Sequence, residues 1–191
     1  MGRWEPNTRG RLEQAALELY IERGFEQTTV AEIAERAGLT ERTFFRHFAD
    51  KREVLFGDAG AWHERVVNAV VGAPPSAAPM EAVAAGLQAA GAIFQENVER
   101  SRRRQSVIDA NAELQARELS KLAALASAIR DALHRRGVAA PTAGLAAEAG
   151  IVVFRVAFER WINQTRPQDW SPLVRESLGE LQAVVASEEV R

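Results

Sequence analysis

The chain has 191 residues, 47% of them hydrophobic and 26% charged, which is the composition of a folded protein and excludes a disordered chain. It contains no cysteine, which excludes disulfides, thiolate nucleophiles and cysteine-bound metal sites. The formal net charge is −2, and residues 1–56 carry nine Lys/Arg against ten Asp/Glu, so any binding to nucleic acid must depend on where individual cations lie.

The first two predicted helices are short and have clear ends. Apolar residues recur at i, i+3, i+4 and i+7 from Leu12 to Leu19, so residues 9–23 predict an amphipathic helix that ends at Gly24. Thr29 and the glutamate three residues later have the spacing of a capping box. They predict a second helix that ends at Gly38.

A third helix of barely two turns is expected to begin after Thr40, which can cap it, and to end before Asp50. Its Phe44 and Phe48 lie four residues apart, so we interpret both as core residues beneath an exposed polar edge. A capped helix that ends at glycine and is followed after about three residues by a short helix predicts a helix-turn-helix. That polar edge would face the major groove of DNA.

The next segments predict two longer helices. Asp50 has N-cap spacing with a glutamate at N3, and apolar residues continue at helical spacing from Val54 to Val70, which predicts one continuous fourth helix. The paired prolines Pro74 and Pro75 predict a loop. A fifth helix is expected from Pro79 or Met80 to about residue 100, with Arg102–Arg104 as its solvated end.

The C-terminal part predicts three more helices, at residues 113–136, 142–164 and 172–186. Residues 142–164 are apolar on nearly all sides, and residues 172–186 carry a wide apolar stripe, so the core of one subunit is insufficient to cover both helices. We therefore expect these two helices to pair with those of a second copy as a four-helix bundle, which makes the protein a homodimer. The expected interface residues are Val152, Val156, Trp161, Val174, Leu178, Leu181 and Val185.

Together these patterns predict an all-α protein of about nine helices. Residues 1–56 would form the three-helix helix-turn-helix domain, and residues 57–191 a helical dimerisation and effector domain. Four aromatic residues of the second domain are candidates for an apolar effector pocket, although aromatic residues at helical spacing are more often ordinary core. They are Trp62, Phe94, Phe154 and Phe158.

Three segments of the chain resemble the TetR family of transcriptional repressors: Gly24–Phe25, Ala37–Thr40 and Thr43–Lys51. The resemblance is dense from about residue 9 to residue 56 and only architectural afterwards. It implies that a homodimer binds palindromic double-stranded operator DNA and represses transcription. It also implies that a small apolar effector entering the C-terminal domain releases the operator by favouring another conformation.

The resemblance also implies roles for residues around the third helix. Thr29, His47 and Lys51 match the family's phosphate contacts, and Thr40, Arg42 and Thr43 match positions near base edges, where Arg42 could read guanine. Phe45 stands where many relatives have tyrosine, so a hydroxyl–phosphate contact is lost. The expected DNA-binding set is Thr29, Thr40, Glu41, Arg42, Thr43, Phe45, Arg46, His47 and Lys51.

Other classes of function have less support. His47, His63 and His134 fall in different predicted helices, so we expect no metal, and no phosphate loop or nucleophile elbow predicts a cofactor or an enzyme. A charged N-terminus and the lack of a long apolar run predict a cytoplasmic protein with no membrane segment. The alternative is a helical ligand-binding or protein-interaction module without DNA affinity.

Overall fold

The computed structural model describes residues 7–57, 59–94, 98–164 and 169–186. Within these ranges the chain forms nine α-helices, one 3-10 turn at Glu53–Phe56 and no β-strand, which confirms the all-α prediction. The helices are α1 Thr8–Arg23, α2 Val30–Arg36, α3 Glu41–His47, α4 Ala59–Gly72, α5 Pro79–Phe94, α6 Val98–Asp109, α7 Ala112–Arg135, α8 Ala140–Asn163 and α9 Trp170–Ala186.

The helices pack as two compact units. The first unit combines Met1–Asp58 with Arg102–Leu119, and the second combines Ala59–Ser101 with Ser120–Arg191. The borders between the units therefore fall inside α6 and α7. The assignment of folding domains to residues 1–56 and 57–191 stays a prediction, because these units describe packing only.

The core of the first unit follows from the amphipathic stripe of α1. Leu12, Ala16 and Leu19 are buried against Ile33 of α2 and Phe44 of α3. The apolar residues Val107, Ile108 and Leu114, which come from the end of α6 and the start of α7, complete the same cluster. A segment that the sequence assigns to the effector domain thus supports the helix-turn-helix.

The continuous fourth helix predicted from Asp50 is wrong. Its cap is correct, because the Asp50 carboxylate accepts hydrogen bonds from the backbone N–H groups of Arg52 and Glu53 at 2.8 and 3.2 Å. The 3-10 turn that follows ends at Gly57, whose φ of 47° lies in the left-handed region that favours glycine. The longer helix, α4, begins only at Ala59.

The fifth helix, α5, is described over Pro79–Phe94, and residues 95–97, on which its predicted extent to about residue 100 depends, lie outside the described residues. The arginines expected at a solvated end lie inside α6, so that part of the prediction is wrong. Among them, Arg104 keeps only 27% of its side chain exposed, because its guanidinium stacks 5.1 Å from the Phe56 ring centre and its Nε donates to the Leu55 carbonyl at 2.6 Å. Few apolar residues mark α6, so its periodicity was hard to recognise.

The second unit packs α4, α5, α8 and α9 around a core that includes Leu87, Val153 and Trp170. The Trp170 indole is fully buried and donates to the Leu87 carbonyl at 2.7 Å. A Cβ at Gly91 would lie 2.1 Å from this indole, so only glycine lets α5 approach it. α8 has the length and composition of a membrane span, which is weak evidence, since its buried side chains belong to this core.

Candidate nucleic-acid interface

The sequence-predicted capping motifs fix both ends of α2. Thr29 Oγ1 accepts from the Glu32 backbone N–H at 3.3 Å, and the Glu32 carboxylate accepts from the Thr29 N–H at 2.9 Å, which is a complete capping box. After α2, Gly38 adopts a φ of 65°, and the Leu39 N–H reaches the Ala34 carbonyl at 2.8 Å. Local chemistry thereby sets the turn that leads into α3.

The third helix is seated by its phenylalanines. Phe44 and Phe48 are buried with ring centres 5.5 Å apart, which confirms their predicted structural role. Thr40 accepts from the Thr43 N–H at 3.2 Å, and the two hydroxyls lie 3.0 Å apart. Phe45 is 55% exposed and stands edge-on to the Phe44 ring at 5.4 Å, so a neighbouring aromatic ring supports it.

The charged residues of α3 differ from those of α1 and α2 in whether they form ion pairs. Glu41, Arg42 and Arg46 are exposed on α3, and neither arginine forms an ion pair within the described residues. Four of the five acidic residues of α1 and α2 have ion-pair partners instead: for example, Glu22 pairs with Arg36 at 2.8 Å, and Glu32 pairs with Arg23 at 2.8 Å. The exposed arginines of α3 are therefore available on the edge that is predicted to face the major groove of DNA.

His47 is half-buried, unlike the exposed arginines beside it. Its Nε2 is buried and makes no hydrogen bond within the described part of the chain. Burial lowers the pKa of His47, and the neighbouring charges of Arg46 and Arg9 lower it further. The free protein therefore favours a neutral imidazole at pH 7.

Lys51 is engaged in contacts within the protein. Its Nζ donates to the carbonyls of Phe25 and Thr28 at 2.8 and 3.0 Å, with the Glu26 carbonyl at 3.4 Å, and it lies 4.3 Å from the Phe25 ring centre. Its own carbonyl accepts from the Tyr20 hydroxyl at 2.6 Å. Burial raises the pKa of Tyr20, and Asp50 adds to the shift, so this hydroxyl stays a donor at neutral pH.

Sequence reasoning missed a set of ionic contacts that hold the segment after Lys51. Arg52 pairs with Glu113 at 2.7 Å, and Glu53 pairs with Arg117 one helical turn further along α7. Arg52 also binds the Asp50 carboxylate at 2.6 Å, which lowers the pKa of Asp50. We call these residues the ionic clasp. More than sixty residues separate the two sides of the clasp, so local patterns carried no signal for it.

Two family models match this architecture. Residues 13–56 match bacterial regulatory proteins of the tetR family, and residues 77–186, more than half of the chain, match the MftR C-terminal domain. The chain belongs to the TetR family of bacterial regulatory proteins. It is thus a DNA-binding transcriptional regulator, as the resemblance of its helix-turn-helix residues to this family implied.

Individual relatives agree with this assignment. Over 94% of this chain and 89% of the relative, the sequence is 26% identical to the transcriptional regulator MftR of Mycobacterium tuberculosis. It is 40% identical to the regulator TcmR of Streptomyces glaucescens, but over only 43% of this chain and 36% of TcmR. The fold resembles that of SmeT in its triclosan complex, with a TM-score of 0.62 and 19% identity over 91% of this chain and 90% of SmeT.

In this TetR-family regulator, the predicted pocket residues of the second unit form part of an aromatic cluster. Phe154 lies 5.2 Å from Trp62 and 5.7 Å from Phe158, measured between ring centres. Trp170, which was not among the predicted pocket residues, packs with its ring centre 5.7 Å from that of Phe154. The side chain of the remaining candidate, Phe94, lies outside the described residues.

The predicted dimer residues divide into outward and inward sets. Val152 and Val185 are 51% and 68% exposed, and Val156, Leu178 and Leu181 are half-buried. The structure contradicts an interface role for the side chains of Trp161 and Val174, because both are already buried in the core of a single chain. Leu145 and Val184, which were not among the predicted interface residues, are also exposed.

Proposed function

We propose that this regulator binds a palindromic operator as a homodimer and releases it when a small apolar effector enters the second unit. The observation that carries the proposal is the outer edge of α3. There Arg42 and Arg46 are exposed beside Thr43 and have no ion-pair partner among the described residues, on a helix that Phe44 holds in place. Side chains of these kinds can read base edges and neutralise phosphates in a major groove.

Within that edge, we assign base reading to Thr40, Arg42 and Thr43, since a bidentate arginine can select guanine. Thr29 and His47 are proposed to contact phosphates and set the docking register. The remaining α3 residues of the predicted set are placed at the DNA surface without an assigned base. They are Glu41, Phe45 and Arg46.

A dimer is proposed because a helix of seven residues reaches few base pairs, so useful specificity needs two copies about one helical turn of DNA apart. The exposed apolar side chains of α8 and α9 suit an isologous bundle in which each copy covers the other. Leu145, Val152, Val184 and Val185 are the most exposed large apolar side chains on these helices.

The effector site is proposed at the aromatic cluster around Phe154. The Nε1 of Trp62 is buried there and makes no hydrogen bond within the described residues, so it can donate to a polar group of an otherwise apolar ligand. SmeT, with a similar fold, was solved with triclosan. Reciprocal coupling follows, because an effector that lowers operator affinity must itself bind less tightly to the DNA complex. A cytoplasmic location fits these roles.

The decisive experiment is selection of bound sequences from randomised duplexes with the full chain. We expect a palindromic consensus and an affinity that falls steeply with salt. The matched control is the double variant Arg42→Ala/Arg46→Ala, which should yield no consensus. If the wild-type chain enriches no sequence at low salt while folded and dimeric, the proposal fails, and a ligand-binding or protein-interaction module without DNA affinity becomes the better description.

A further inference from the structure

We infer that Lys51 is a positioning residue of the DNA-reading helices and that its side chain does not contact a DNA phosphate. The inference rests on the proposed operator binding and changes the role that the family resemblance implied for this residue. Its evidence is the surroundings of the ammonium group, which lies among three backbone carbonyl oxygens and an aromatic ring.

The hydrogen-bonding capacity of Lys51 is fully used. An ammonium group has three N–H donors and no acceptor, and three carbonyl oxygens lie within 3.4 Å of this one. Bonds of this kind are stronger than neutral ones because the donor is charged. The Phe25 ring, 4.3 Å away, adds a favourable cation–π contact. Binding a phosphate would break at least one of these contacts.

The three carbonyls belong to one functional segment. Phe25, Glu26 and Thr28 form the connection between α1 and Thr29, the N-cap of α2. Two further bonds fold this connection, from the Thr28 hydroxyl to the Gly24 carbonyl at 2.9 Å and from the Thr28 N–H to the Phe25 carbonyl at 3.3 Å. Lys51 supplies donors for carbonyls that helix geometry does not satisfy.

Because of its position in the chain, Lys51 connects two helices of the helix-turn-helix through these bonds. It follows α3 by a few residues, and the Tyr20 hydroxyl fixes its backbone to α1. The side chain thus ties the start of α2 to the end of α3. Because Thr29 caps the start of α2, loosening the connection would displace a proposed phosphate contact relative to the base-reading residues of α3.

The test compares Lys51→Met with the wild-type chain in two measurements. Methionine keeps an unbranched apolar stem and removes all three donors. Operator affinity, measured on folded protein at several salt concentrations, should fall about tenfold by the same factor at each concentration, because no counterion release is lost. Amides of residues 26–30 should exchange faster in the free protein. Arg46→Met is the comparison expected to reduce the salt slope.

Two results would overturn the inference. One is a salt slope reduced by about 0.9 with unchanged amide exchange, which is the signature of a lost phosphate contact. The other is unchanged operator affinity.

If Lys51→Met does not fold, Lys51→Arg provides a second test, since it keeps the charge but spreads the donors over a plane. Positioning predicts weaker binding for it, and a phosphate contact predicts binding at least as tight. Failure of the wild-type chain to bind any duplex would reject the proposed function, while the exchange data would still judge whether Lys51 holds the connection.

Discussion

Replacing Arg104 with methionine tests a feature of the first unit that local sequence patterns did not predict. The guanidinium donates to the Leu55 carbonyl at 2.6 Å, stacks on Phe56 at 5.1 Å and lies 3.4 Å from Glu118. Methionine can retain the packing of the side-chain stem and removes all three polar interactions. The variant therefore isolates what the charged group contributes.

The size of the effect follows from these contacts. A hydrogen bond from a charged donor contributes about 1.5–3 kcal/mol, and a cation–π contact about 0.5–1 kcal/mol. The ion pair with Glu118 is long and partly exposed, so we assign it little. Part of this stabilisation offsets the free-energy cost of burying the charged guanidinium. The same burial lowers the pKa of Arg104. We expect Arg104→Met to lower the free energy of unfolding by about 2–3 kcal/mol.

Hydrogen exchange of the slowest-exchanging amides of α1, followed in the full chain at increasing urea concentrations, measures this loss in the free energy of unfolding. The matched control is Arg103→Met, which makes the same charge change at the adjacent, exposed position. It should shift the free energy of unfolding by no more than about 0.5 kcal/mol. Equal effects of the two variants would refute the reasoning, because the loss would then come from net charge and not from the Leu55 and Phe56 contacts.

The remaining predictions concern specificity, assembly and pH. Arg42→Ala should relax preference at one or two operator positions at a cost of about 1–3 kcal/mol, with Arg135→Ala of the second unit unchanged; an identical selected consensus would reject the assignment. Val152→Asp should shift the sedimentation equilibrium from dimer to monomer, whereas Val71→Asp, at another exposed valine, should not. The pKa of His47 is lowered below its ordinary value of 6.5, so the unfolded chain binds the proton first and stability is lost as pH falls below 6.5. His47→Gln should reduce that loss in urea titrations, and superimposable pH profiles would contradict it.

The predictable part of the fold is the part in which neighbouring residues decide the structure. The bounds of α1 to α3 follow from the Thr29 and Thr40 caps and from the glycines at 24 and 38, all of which act within one turn. The break at Gly57 was not predicted, because glycine is tolerated inside a helical pattern and only the observed φ identifies a stop. The sequence did not predict α6, because the contacts that hold its Arg104 come from residues about fifty positions earlier in the chain.

The same distinction applies to the candidate sites. Periodicity identified Phe44 and Phe48 as core residues because only one face of α3 is apolar. It could not separate Val152 from Trp161 on α8, where apolar residues occur on nearly every side and only packing distinguishes the inner face from the outer. Nor could it anticipate the contacts of Lys51, since every residue type carries the backbone carbonyls that bind it.

The negative charge of the N-terminal residues looks like an argument against DNA binding, but it depends on treating all charges as equivalent. Screening limits each exposed charge to a range of about 10 Å at 0.1 M salt, so a phosphate responds to the groups beside it and not to the sum. The acids of α1 and α2 are largely neutralised by Arg23 and Arg36, and Glu53 by Arg117. On α3 the exposed arginines Arg42 and Arg46 outnumber the one glutamate. Reversing an acid that is already paired should therefore change operator affinity less than removing either arginine, although both change the net charge.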